Sequence, residues 1–204
     1  MLEFLLKNGF RVTTLVQEPE ILTRCKDHSN HEILRGEIVH YPDVYNAVQG
    51  NDIIISVYDT PPALDFYTKG TVNIVRAMRQ STIKKFICLS PFCTDLDKKL
   101  LTLPQRVVAW LRTSRAVLRT IVKQEEILCQ NNINFILVKH SGFYKTHSYS
   151  SCHAVPITEF RTIRENSGKV SRKGLVEFLV TLINDEKWNR RTIYAVGSSK
   201  RLTC

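Results

Sequence analysis

No stretch of this 204-residue sequence approaches the roughly 18 consecutive apolar residues that a membrane-spanning helix requires, so no membrane partner is expected. The N-terminus, Met1-Leu-Glu-Phe-Leu-Leu-Lys7, carries an acid among its apolar residues and stops too soon for a signal peptide, which makes cytoplasmic residence the default. Paired cysteine spacings are also missing. Cys25, Cys88, Cys93, Cys129, Cys152 and Cys204 are scattered and read as free thiols. Cys25-x2-His28-x2-His31 looks like half a metal site, but zinc usually needs a second ligand pair and none is evident, so a polar loop after a strand is expected instead. The formal charge of +10 comes without any aromatic-interleaved basic motif. Its short clusters (Lys84-Lys85, Lys98-Lys99, Arg190-Arg191) read as solvated faces plus attraction for an anionic small ligand, not as a specific nucleic-acid partner. No internal repeat or low-complexity tract is present.

What remains is ordinary globular material, 43% hydrophobic and 24% charged, enough for one domain with a real core. Its pattern alternates. Strands are predicted at 10–16, 52–57, 85–90, 134–139 and 192–196, with an edge strand near 33–36. The run Asp52-Ile-Ile-Ile-Ser-Val57 is apolar enough to suggest burial on both faces. Helices are predicted at 1–8, within 39–50, and at 68–80, 107–130 and 171–184. The stripe of the 68–80 helix is read as Val72, Ile74, Val75 and Met78. Residues 144–166 are polar and read as a long loop that can cover a substrate. Apolar strands alternating with helices predict an α/β fold of the Rossmann type, a parallel sheet with helices on both faces. Such folds begin with a central strand and a glycine-rich loop that cradles the phosphates of a dinucleotide. This sequence begins on the helix, so it is read as lacking both.

The order Lys7-Asn-Gly-Phe-Arg-Val-Thr-Thr-Leu-Val-Gln-Glu-Pro-Glu20, Gly36-Glu-Ile-Val39, Gly50-Asn-Asp-Ile-Ile-Ile-Ser56, Thr71-Val-Asn-Ile-Val-Arg-Ala-Met78 and Ile83-Lys-Lys-Phe-Ile-Cys-Leu-Ser-Pro91 resembles the NmrA-like group of atypical short-chain dehydrogenases. Lys123-Gln-Glu-Glu126, Val138-Lys-His-Ser-Gly142 and Gly168-Lys-Val-Ser-Arg172 extend the likeness over nearly the whole chain, nearest to enzymes of the biliverdin-IXβ reductase (flavin reductase) type. The resemblance implies an NAD or NADP cofactor. Gln17 would face the adenosine ribose, where the group often has an arginine for the 2′-phosphate, and Arg24 would be the substitute grip. Glu37 and Ile38 would border the adenine. Ser56, Val57 and Tyr58 would run past the cofactor at the strand's C-terminal end. Ser90 and Pro91 would sit by the nicotinamide, with His140, Ser141, Gly142 and Phe143 as the far wall.

Ser90 and His140 are the candidate catalytic residues, each with a plainer reading: a strand-end cap, and a packed, hydrogen-bonded histidine. Ordinary short-chain dehydrogenases carry Tyr-x3-Lys. Here the matching stretch is Arg119-Thr-Ile-Val-Lys123, so the tyrosine is missing and catalysis would rest on hydride geometry and solvent protons. Two functions follow from the resemblance. One is an NAD(P)H-dependent reductase of a flavin or tetrapyrrole-like small molecule, its cofactor binding weakened or lost with the phosphate loop. The other is a non-catalytic module, such as a dinucleotide sensor.

Overall fold

The structure is a computed structural model that describes residues 1–57, 66–91, 115–140, 143, 149–156 and 170–197. Within them the elements run α1 (Leu2–Lys7), β1 (Val12–Val16), a 3-10 turn (Pro19–Leu22), β2 (His31–Arg35), α2 (Tyr41–Val48), β3 (Ile53–Ser56) and α3 (Phe66–Arg79). Then come β4 (Lys85–Pro91), α4 (Arg115–Gln130), β5 (Phe135–His140), β6 (Cys152–Pro156), α5 (Arg172–Thr181) and β7 (Arg191–Gly197). The α/β alternation is the predicted one, and the expected edge strand is β2.

The strands form two sheets, β2-β1 and β3-β4-β5-β7-β6. Every pairing is parallel except β6 with β7. That exception corrects the reading of residues 144–166 as loop. Cys152-His-Ala-Val-Pro156 buries Val155 and exposes His153, and its antiparallel pairing puts Ala154 opposite Ala195. The strand sits at the sheet's edge, where a proline is tolerated because its missing N–H faces no partner.

Two apolar layers cover the larger sheet. Val44 and Val48 of α2, Ile74, Val75 and Met78 of α3, and Leu128 of α4 pack on Phe86, Cys88, Phe135 and Leu137. On the other face Leu175, Phe178 and Leu179 of α5 pack on Ile87, Leu89, Ile136, Val138 and Ile193. The strict alternation along β4 and β5 is the period of two of a strand covered on both sides. Within α3 the buried stripe runs through Thr71, Ile74, Val75, Ala77 and Met78, whereas Val72 is 46% exposed. Val72 therefore leaves the predicted stripe, because a 3.6-residue period that buries 71, 75 and 78 turns 72 toward solvent.

A second correction concerns β3. Ile53, Ile54 and Ile55 are only half-buried. Their faces are covered, but the strand is hydrogen-bonded to β4 alone, and its other edge opens on a cavity of about 1290 Å³ shared with β1.

Candidate functional site

β1 and β2 run parallel, as do β3, β4, β5 and β7, so within each sheet the strand ends, Val16 and Arg35 in one and Ser56, Pro91 and His140 in the other, fall along one edge. That edge is where open α/β sheets bind ligands, since loops leaving toward opposite faces part there. Gln17, Glu37, Ile38, Val57 and Phe143 follow directly on these strand ends. Tyr58, Ser141 and Gly142 lie outside the described residues, as does the side chain of Pro91.

The cavity between β1 and β3 brings together Gln17, Ile38, Ser56 and Val57. Gln17 is exposed, and Val57 is 42% exposed at the rim. Ile38 is held in place from both directions: its side chain packs on the α2–α3 core, and its carbonyl accepts from Asn73 Nδ2 at 2.9 Å. Glu37 keeps its carboxylate outside, while its backbone N–H donates to Asp43 Oδ2 at 2.9 Å. That bond, with His40 beside it, holds the Asp43 carboxyl below its ordinary range. Arg24 does not join this group. It lines a separate, smaller cavity near α1, and its guanidinium stands 3.7 Å from Glu3.

Ser90 and His140 are close in register but face opposite ways. Ser90 pairs with Lys139, and Pro91 with His140. Ser90 continues the Phe86–Cys88 face toward α3 and α4, and His140 continues the Ile136–Val138 face toward α5. The two proposed catalytic side chains therefore do not converge on one face. They share only the edge above the sheet.

On the α4 face, Ser90 is fully buried and its Oγ has no hydrogen-bond partner among the described residues. Its neighbour Lys139, 1% exposed, pairs with Glu125 of α4 at 2.9 Å, a carboxylate itself only 13% exposed. Beside Glu125, Gln124 Nε2 donates to Thr71 Oγ1 at 2.9 Å, and both side chains are buried. Sequence reasoning missed this polar cluster. It matched Lys123, which is exposed, to the lysine of a Tyr-x3-Lys pair, while the buried lysine on this face is Lys139. The signal was a lysine within the otherwise apolar run Phe135-Ile-Leu-Val-Lys-His140, since a lysine in such a run is stable only when paired. Below it, Ser56 pairs in register with Cys88, whose thiol burial pushes up to about 12, so Cys88 is no nucleophile at neutral pH.

On the α5 face, the His140 ring lies 4.8 Å from that of Phe143, over which Arg172 sits at 5.0 Å. His140 Nδ1 has no hydrogen-bond partner among the described residues, and burial lowers the pKa of the ring. The neutral imidazole is the form the fold accepts, which makes His140 a poor proton donor near pH 7. The unfolded chain binds this proton more readily. Stability from this group is therefore complete above the unfolded histidine value of about 6.5 and is lost as pH falls toward the folded pKa. Urea unfolding at pH 7 and pH 5.5 should show a fall that His140→Gln reduces. An equal fall in both proteins would remove His140 as its source.

The remaining histidine–cysteine segment is structural. His31 bonds the Cys25 carbonyl through Nδ1 at 2.8 Å and Thr14 Oγ1 through Nε2 at 2.9 Å, which ties the loop to β1. Among the described residues, no group of His, Cys, Asp or Glu is placed to hold a metal ion, and no helix is long and apolar enough to cross a membrane.

The fold is shared with solved oxidoreductases. A short-chain dehydrogenase/reductase of Veillonella parvula, crystallised with NADP, superposes with a TM-score of 0.74 at 16% identity, covering 95% of this chain and 86% of that one. ChuY, an anaerobilin reductase of Escherichia coli O157:H7, gives 0.74 at 14% identity over 97% of this chain and 90% of its own. At these identities the likeness is one of fold. In sequence, an uncharacterized chloroplastic protein of Arabidopsis thaliana is 26% identical over 151 residues, 70% of this chain. The chain spans about half, 54%, of that relative's length. The sequence pattern of the NAD(P)H-binding family matches residues 1–186, and the chain belongs to that family.

Proposed function

We propose that the protein is an NAD(P)H-dependent reductase of a flat, conjugated small molecule, a flavin or a bilin-like open tetrapyrrole, akin to biliverdin-IXβ reductase. The observation that carries this reading is the C-terminal edge itself. Ser90 Oγ and His140 Nδ1, both buried and without a partner among the described residues, stand at the ends of adjacent parallel strands. A nicotinamide carboxamide would offer a donor and an acceptor to the Ser90 hydroxyl, while His140, on the opposite face, would meet only the far wall. When bound, NAD(P)H supplies a hydride, and a solvent proton completes the two-electron reduction.

The chain's own residues orient and shield. The Ser90 hydroxyl would hold the carboxamide, and the Lys139–Glu125 pair fixes the strand that carries its neighbour. His140 and Phe143 wall the acceptor side without giving up a proton. Val57 and Ile38 line the way toward the adenosine, which Gln17 meets. Gln17 carries no charge, and Arg24 is turned to Glu3, so NADH and NADPH are both accepted. The reaction of ChuY with anaerobilin supports a bilin-type acceptor on this fold. The cavity between β1 and β3 favours a second reading, a dinucleotide-binding module without turnover, because its lining joins Gln17, Ile38 and Val57 but includes neither Ser90 nor His140.

Steady-state reduction of FMN and biliverdin by NADPH and NADH separates the two. The reductase reading expects slow, saturable turnover. Ser90→Ala should lower it by roughly 2- to 10-fold, the worth of one neutral hydrogen bond. His140→Ala should leave it within about 2-fold, since a true general acid is worth ~10²–10⁴-fold. Dinucleotide binding with no turnover on either acceptor would select the sensor reading.

A further inference from the structure

The turn of residues 37–40, which follows β2 and Gly36, is held by polar side chains from two helices. Asp43 is the third residue of α2. An acid there normally reaches back to the N–H of the residue that precedes the helix, here His40, and closes a capping box. That N–H is already taken by the Glu37 carbonyl at 3.0 Å. Asp43 reaches past it: Oδ2 accepts from the Glu37 N–H at 2.9 Å, and Oδ1 stands 2.9 Å from His40 Nδ1. One carboxylate thus clamps both ends of the turn. The approach is so close that a Cβ on Gly36 would meet Asp43 Oδ2 at 2.7 Å, so a glycine must lead into it.

The second anchor comes from α3, where Asn73 Nδ2 donates to the Ile38 carbonyl at 2.9 Å. The Ile38 side chain lies along the same helix, and a Cβ on Gly70 would stand 3.1 Å from its Cδ1. The turn is also tied to the end of β1, since the Gly36 N–H donates to the Val16 carbonyl at 3.0 Å, one residue before Gln17. Four residues on the surface need no such set of anchors merely to connect β2 with α2. Binding turns are fixed in this way, because a peptide and side chain already in place lose no freedom when the ligand arrives.

We propose that Asp43 and Asn73 are positioning residues for the adenosine end of NAD(P)H. They touch no cofactor atom; they hold Glu37 and Ile38 in the one conformation that the adenosine meets. The inference rests on the NAD(P)H reading above and adds which side chains set the affinity of the adenosine half. The nicotinamide half, at Ser90 of the larger sheet, does not depend on them.

ADP-ribose carries the adenosine half without the nicotinamide, so its binding reports this role whether or not the protein turns over. Isothermal titration should show saturable binding by the parent chain. Asp43→Ala and Asn73→Ala should each raise the dissociation constant about fivefold to tenfold, roughly the worth of the hydrogen bond removed. Asp43→Asn should recover most of that loss, because its amide oxygen still accepts from the Glu37 N–H. With FMN as acceptor, the KM for NADH should rise by a similar factor in both alanine variants while kcat stays within about 2-fold, a split that general loss of structure does not produce. Should Asp43→Ala fail to fold, Asn73→Ala carries the same readouts from a different helix. Folded alanine variants that bind ADP-ribose as the parent does overturn the proposal and leave the NAD(P)H reading standing. So does a parent that binds NADPH but not ADP-ribose. A parent that binds neither overturns both.

Discussion

Lys85→Met should lower stability by about 3 kcal/mol, whereas Lys84→Met should change it by less than ~0.5 kcal/mol. The two lysines are neighbours in sequence and opposites in environment. Lys84 pairs with Asp52 at 2.8 Å with both side chains largely in water. Lys85 is 5% exposed and points to the α5 face, where its Nζ donates to the carbonyls of Leu182, Ile183 and Asp185 at 3.0, 2.9 and 3.0 Å. Those oxygens lie in the turn that ends α5, where the helix leaves its last carbonyls without partners and its dipole favours a cation. Methionine keeps the apolar stem and removes all three donors, stranding carbonyls at the base of the sheet. Chemical denaturation of the two variants beside the parent checks this. Similar small losses for both would show that water replaces the ammonium without penalty.

Gly174→Ala should be as damaging, with a loss of about 3 kcal/mol. A Cβ at Gly174 would stand 1.9 Å from the Ser150 carbonyl oxygen and 2.9 Å from Ser171 Oγ. The contact is with backbone, which cannot swing aside as a side chain does. The closeness serves a clip. Ser171 caps α5 by accepting from Gly174 N at 3.0 Å, donates to the Ser150 carbonyl at 2.9 Å and accepts from Ser150 N at 3.1 Å. One hydroxyl thus fixes both the start of α5 and the approach to β6. Thermal melting of Gly174→Ala should show the midpoint lowered by several degrees, about 2–4 °C for each kcal/mol in a chain of this size. A midpoint within one degree of the parent would mean that the 149–151 backbone yields freely.

How legible this was from sequence follows from what each element relies on. β4 and β5 announced themselves because they are apolar on both faces, and only a strand under two helical layers tolerates that. β6 did not, because an edge strand with one buried valine and a terminal proline carries almost the composition of a loop. Ser90 and His140 were placed correctly at adjacent strand ends. Their opposite facing was latent in the register, since residues one apart on paired strands point to different sides, but it needed Pro91 opposite His140 to become visible. The Lys139–Glu125 pair joins a strand to a helix across the tertiary fold, and no local spacing encodes it. Lys85 was hidden for the same reason: read beside Lys84 it looked like a solvated cluster, and only the turn after α5 shows what it holds.

The central claim is that the C-terminal edge of these sheets binds NAD(P)H. Isothermal titration of the 204-residue chain with NADPH tests it most directly. The account predicts saturable binding at one site per chain. Absence of any heat at millimolar NADPH, from protein shown by its melting curve to be folded, would contradict the binding site itself.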